Sequence, residues 1–356
     1  MTKSEWLRES RELLGLSQTD LRNLLNAALN RSYDKSRISR WENSKENIPA
    51  EVIKQIESLI ATRKNRAKVI ALANQKGGVG KTTSSLNIAA ALRRVGRRVL
   101  LVDLDPQASA SDWLLGPRGL DYFREGRSIY HNLLNDRPIE ECIIRTEEEE
   151  NLQQAGFDLI SSHINLAEAD SRREPGFEHA LAENLDRVAN DYEFIIIDAP
   201  PNLGLMTYMA LVAADVVIVP VQTEPPDAMG VALLLSTVQK IQRRLNPQLR
   251  VGGILPTRYN GRQSVDREVL HHLIQSTAGA AIVLEPIPES AVYGNAAWGG
   301  VIAVDASPKA KAVGPYMRLC SALASETPLP MALLNLDDDT QDDEDTEKTE
   351  GRGRRA

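Results

Sequence analysis

Six short runs of branched aliphatic residues constrain this chain most. They are VIALAN from Val69, VLLVDLD from Val99, FIIIDAPP from Phe194, DVVIVPVQ from Asp215, VGGILPTRY from Val251 and AIVLEPIPE from Ala281. None alternates polar with apolar residues, as a strand wetted on one face would, and none approaches the roughly 20 residues that cross a bilayer. Helical patterns separate them. Buried strands alternating with helices give an α/β fold: a parallel sheet flanked by helices on both faces. Residues 117–190 are polar and irregular, and helices are expected there.

The first run leads into NQKGGVGKTT, Asn74–Thr83, and then into a helical pattern from about Lys81 to Arg94. Gly77, Gly78 and Gly80 let the backbone curl so that its N–H groups converge on anionic oxygens, and the helix that follows adds the positive end of its dipole. Lys81 is placed to reach β and γ phosphates, and the Thr82 hydroxyl to ligate Mg²⁺. The usual G-x-x-x-x-G-K-[ST] pattern requires glycine at position 75, but Gln75 stands there, followed by a second lysine, Lys76. Asp103 and Asp105 end the second run and Asp198 ends the third. Ligands of open parallel sheets lie at the carboxyl ends of strands, so these carboxylates and the loop are expected at one site. Thr82, Asp103 and Asp198 are the candidate metal ligands, with Asp105 orienting an attacking water. A structural strand-end carboxylate is the alternative for Asp103.

K-G-G-V-G-K-T-T, V-D-L-D-P-Q and I-I-I-D-A-P-P, in this order, resemble the ParA/MinD family of deviant phosphate-loop ATPases, closest to its partition branch, over residues 68–325. The resemblance implies ATP and Mg²⁺ as cofactors, ATP hydrolysis, and a homodimer sandwiching two nucleotides. Lys76 would then cross to the partner's phosphates, with Lys76, Asp105 and Lys81 catalytic. Residues 76–83, including Val79 and Thr83, would cradle the phosphates, and Thr257–Arg258 with the Pro286–Pro288 loop would contact adenine. It further implies a centromere-binding partner of the ParB type, nonspecific DNA binding, and a cytoplasmic, nucleoid-associated protein that segregates a plasmid or chromosome. One departure bears on DNA. Where partition ATPases carry an arginine pair, this chain has Glu289 and Val292, leaving Arg258 and Arg262 as the core's DNA-binding candidates.

The core is acidic, whereas residues 1–68 carry an excess of Lys and Arg, roughly +5. There, LGLSQTDL followed by SRISRWEN resembles the helix-turn-helix of phage repressors, in which the second helix enters the major groove. Gln18, Ser36, Arg37, Ser39 and Arg40 are its candidate DNA contacts, with Ile38 and Trp41 as core and an unusually long connection from Asn26 to Lys35. In partition ATPases such an extension represses the partition operon; a bundle used only to bind a partner is the alternative. The expected divisions are a small all-α DNA-binding domain at 1–62, a basic linker at 63–68, the ATPase at 69–334 and a disordered acidic tail at 335–356. The start, MTKSEWLRES, is not expected to be a signal peptide. Cys142 and Cys320 form no motif, which fits a reducing compartment and excludes an iron–sulfur reductase. Two rival readings are an ATP-responsive transcriptional repressor and a MinD-like or organelle-positioning ATPase. The acidic ending, which lacks an amphipathic helix, counts against membrane docking.

Overall fold

The computed structural model describes residues 2–332 apart from Gly15, Pro225 and Pro226; the expected acidic tail therefore lies outside the described residues. The chain opens with four helices: α1 (Lys3–Leu13), α2 (Gln18–Leu29), α3 (Lys35–Glu42) and α4 (Ala50–Asn65). Side-chain caps start three of them. The Thr2 hydroxyl accepts from Glu5 N, Ser17 from Asp20 N, and the Asp34 carboxylate from Arg37 N, each satisfying an amide that the first helical turn leaves unpaired. Leu7, Leu21, Leu25, Ile38, Trp41, Ile48, Val52 and Ile56 form a core of their own, as expected for Ile38 and Trp41. Two expectations change. Helix α2 continues through Leu29 and ends on Asn30 in the left-handed region, which shortens the connection to α3. The basic stretch at 63–68 is helix as far as Asn65, because Arg, Lys and Ala favour helix and no Gly or Pro stops α4 earlier, and it ends in β1 at Lys68.

Six parallel strands follow: β1 (Lys68–Leu72), β2 (Val99–Asp103), β3 (Asp158–Ile160), β4 (Phe194–Asp198), β5 (Val216–Gln222) and β6 (Arg250–Thr257), in the order β3-β2-β4-β1-β5-β6. Both side-chain sets of each central strand are buried. Val69, Ala71, Ile195 and Ile197 face one layer, and Ile70, Leu72, Phe194 and Ile196 face the other. Helices α5 (Lys81–Arg94) and α6 (Ser109–Leu115) lie on the second face. Helices α7 (Ala180–Val188), α8 (Leu205–Ala213), α9 (Asp227–Arg244) and α10 (Ser264–Thr277) cover the first, and α11 (Ala291–Trp298) and α12 (Gly314–Ser325) return to the second. This is the sandwich expected from the continuous apolar runs.

Strand β3 was not anticipated: at three residues it shows no periodicity, and it pairs with β2 in the region read as helical. Conversely, AIVLEPIPE makes isolated bridges rather than a ladder, Ile254 to Val283, Tyr259 to Pro288 and Leu284 to Met331. Pro286 and Pro288 lack the N–H groups that a ladder needs. Among the described residues, no helix is long and apolar enough to cross a membrane.

Candidate active site

The glycine loop joins β1 to α5. Gly78 and Gly80 have φ of +77° and +79°, a region that side chains disfavour, and Gly80 is the N-cap of α5. The loop is tied down by its neighbours. Asn74 Nδ2 donates to Pro220 O at 2.6 Å, the Lys76 amide to Asn74 Oδ1 at 3.1 Å, and Thr257 Oγ1 to Val79 O at 2.9 Å. Thr257, expected at adenine, thus uses its hydroxyl to clamp the loop, while its methyl lies 3.7 Å from where a Cβ on Gly80 would stand. Lys81 opens α5, is 6% exposed, and its Nζ donates to Lys76 O at 2.9 Å. Burial lowers its pKa, opposed by the Asp198 and Asp105 carboxylates. Lys76 points elsewhere: its Nζ meets Glu224 Oε2 at 3.1 Å with both side chains substantially exposed.

Register brings the aspartates together. β2 and β4 pair Asp103 directly with Asp198. Both are buried, and both pKa values are raised by burial first; the neighbouring Asp198 adds to Asp103, and the Thr82 and Ser85 hydroxyls oppose the shift at Asp198. The two differ in their partners. Asp103 Oδ1 accepts from Asp105 N at 3.1 Å, and Oδ2 accepts from Ser111 N at 2.9 Å and Ser111 Oγ at 2.7 Å. Asp103, expected among the metal ligands, braces the 104–111 turn through these bonds, as the strand-end alternative would have it. Asp198 Oδ1 accepts from Ser85 Oγ at 2.9 Å, while Oδ2 is buried and makes no hydrogen bond of ordinary geometry. Asp105 is 8% exposed, and its Oδ1 holds the Gln107 amide at 2.9 Å.

Gly78, Gly80 and Thr83 border a cavity of about 590 Å³ that extends past Thr257 and Arg258 to Ile287 and Pro288. Of the two prolines expected at adenine, Pro288 is among the residues that line it and Pro286 is not. Trp113, Tyr293 and Tyr316, which the sequence reading missed, form much of its wall, with Ser290 at the start of α11 and Gly294 and Ala297 within it. For Tyr293 the available signal was the stretch from Ser290 to Val304, which holds no charged residue. Arg258, at φ +54°, sits on the cavity wall, whereas Arg262 is exposed on the segment beyond it.

In the N-terminal domain, Gln18 is half-buried, and its Nε2 donates to Glu42 Oε2 at 2.8 Å. Glu42 is buried and also paired with Arg11, so Gln18 packs α2 against the end of α3. Ser36 bonds Asp34 at 2.6 Å, Ser39 accepts from Asn43, and Arg37 and Arg40 both pair with Glu46.

A family profile described as an AAA domain matches residues 67–251. An uncharacterized protein of Mycobacterium tuberculosis is 42% identical over 212 residues, which is 59% of this chain and 64%, just under two thirds, of that relative. The chromosome-partitioning ATPase Soj of Thermus thermophilus is 40% identical over 256 residues, 71% of this chain and 95% of Soj. A solved structure of cobyrinic acid a,c-diamide synthase from Mycobacterium smegmatis, with bound ATP analogue and magnesium, is 34% identical. It covers 75% of this chain and 100% of its own, with a TM-score of 0.63. With its glycine loop, its second lysine and its strand-end aspartates, the chain belongs to the ParA/MinD family of deviant phosphate-loop ATPases.

Proposed function

We propose that the chain is a partition ATPase that dimerises on ATP and hydrolyses it to ADP and phosphate. The observation that carries this reading is the division between the two lysines. Lys81 is buried at the helix start beside the carboxylates, whereas Lys76 lies half-exposed on Glu224. A cation displaced from its own site is available to a second subunit's phosphates.

The residues fit Mg²⁺: the unpartnered Asp198 Oδ2 and the Thr82 hydroxyl would hold it, the carboxylate directly or through water. Bound there, it would neutralise charge on the β and γ oxygens. The amides of residues 77–83 bind the phosphates, and Lys81 exchanges the Lys76 carbonyl for a phosphate oxygen. The base enters the cavity between Thr257 and Pro288. Asp105 accepts a hydrogen bond from the attacking water, so that its oxygen forms the new bond to the γ phosphorus as the bridging oxygen leaves with ADP. The partner subunit's copy of the second lysine stabilises the departing charge only after assembly.

In the same reading, a ParB-type protein stimulates hydrolysis. The dimer binds DNA nonspecifically, weakly because Glu289 and Val292 replace arginines, and the N-terminal domain binds an operator and represses transcription. Two variants test the core of this. Lys76→Ala should bind ATP yet lose stimulated phosphate release, and Asp105→Ala should form an ATP dimer on gel filtration that hardly turns over. A Lys76→Ala protein of full activity would remove the trans role.

A further inference from the structure

Helix α3 carries two arginines, and both are held by one carboxylate from the segment after the helix. Glu46 Oε1 takes Arg37 Nε at 3.0 Å and Nη2 at 2.9 Å; Glu46 Oε2 takes Arg40 Nε at 3.1 Å. The rest of each guanidinium is also positioned. Arg37 lies 5.6 Å from the Tyr33 ring centre and 5.9 Å from that of Trp41. Arg40 Nη1 donates to Ser36 Oγ at 2.8 Å, and that hydroxyl donates to Asp34, the N-cap of α3. The three side chains are partly exposed, 43%, 43% and 32%, so the cluster lies at the surface of the helix.

We infer that Glu46 is a specificity-determining positioning residue of the DNA-contacting helix, holding Arg37 and Arg40 for base edges while weakening their attraction to phosphate. This rests on reading the N-terminal domain as DNA-binding. Unpaired arginines bind the backbone of any duplex, because each neutralised phosphate releases counterions. Here one carboxylate cancels one of the two charges, which removes part of the attraction to a charged phosphate. An uncharged base edge owes little to that attraction and loses little when it is cancelled. The grip through Nε and Nη2 leaves Arg37 Nη1 without a bond to Glu46, at the end of the fork that can read guanine O6 or N7. Specificity is a difference between two affinities, and a built-in charge that weakens the unspecific one raises it.

The test uses the full chain and two probes: a duplex of random sequence, and the duplex that the wild-type protein enriches most from a randomised library. Glu46→Gln keeps the size of the side chain and removes its charge. One added unit of charge should steepen the salt dependence of random-duplex binding by about 0.9 in log–log slope, hence about fivefold tighter binding near 0.15 M salt. The enriched duplex should gain less or nothing, so the ratio of the two affinities should fall several-fold. Glu46→Asp, charged but shorter, should keep the wild-type salt slope. If Glu46→Gln leaves slope and ratio unchanged, or weakens both duplexes alike, while Arg37→Ala with Arg40→Ala loses the enriched duplex, the role of Glu46 is refuted and the helix assignment stands. If that double variant binds both duplexes as wild type does, the helix is not the contact and both readings fall.

Discussion

Asp103 and Asp198 stand at the same level on adjacent strands, and their neighbours give them different work. Asp103 holds a turn, whereas Asp198 keeps an unpartnered buried oxygen. The raised pKa of Asp103 has a stability consequence. Its folded-state value lies above the ordinary range of a carboxylic acid, because burial disfavours the charged form, so the folded state binds the proton more tightly. The stability it contributes is fully present below that ordinary value and is lost as pH rises through the raised one. Denaturant unfolding of the ligand-free protein should therefore show stability declining from mildly acidic toward neutral pH. In Asp103→Asn that decline should flatten. The variant should also lose about 1–3 kcal/mol at every pH, because an amide replaces an acceptor facing backbone N–H groups. A variant with the wild-type pH slope would place the titration elsewhere.

Among the elements, the pairing of β5 with β6 depends on one glycine. The register shifts between Val217 and Ile218, where Gly253 rather than Gly252 becomes the partner. Gly253 has φ +148°, and a Cβ there would lie 2.7 Å from Leu284 Cγ. The bulge lets β6 continue to Thr257, whose hydroxyl clamps the phosphate loop. Gly253→Ala should cost about 1–3 kcal/mol from backbone strain alone, with overpacking against Leu284 added. It should also weaken nucleotide binding, since Thr257 would shift with the strand. Thermal unfolding and titration of a fluorescent ATP analogue would measure the two; an unchanged melting temperature would mean that the bulge relaxes freely.

For the whole molecule, the division of cores matters. The core of α1–α4 shares no buried member with the two cores that flank the sheet, and Ala67 already belongs to the sheet. Removing residues 1–66 should thus leave ATP hydrolysis within about twofold, since none of the described residues among them lines the cavity, and should abolish binding of the enriched duplex. Random-duplex binding by the remaining core should be weak. Phosphate release and DNA binding over a salt series decide it, and a truncated core that binds random DNA as tightly as the full chain would overturn the division of labour.

The sequence alone determined the layers of the sheet, the phosphate loop and the strand-end aspartates. Those features follow from local pattern: continuous Val/Ile/Leu runs, glycines before a helix, and carboxylates at the carboxyl ends of strands. It also identified Ile38 and Trp41 as core. Tertiary structure decided what no local pattern records. Strand β3 exists because β2 offers it an edge. Asp103 braces a turn because Ser111 folds back onto it, and Gln18 bonds across to Glu42, buried at the end of α3. Trp113, Tyr293 and Tyr316 come from three distant segments and meet only at the cavity. Glu46 follows α3 in the chain, yet its effect depends on where the turn aims its carboxylate. Partners chosen across the fold are set by packing and register, which a linear reading does not contain.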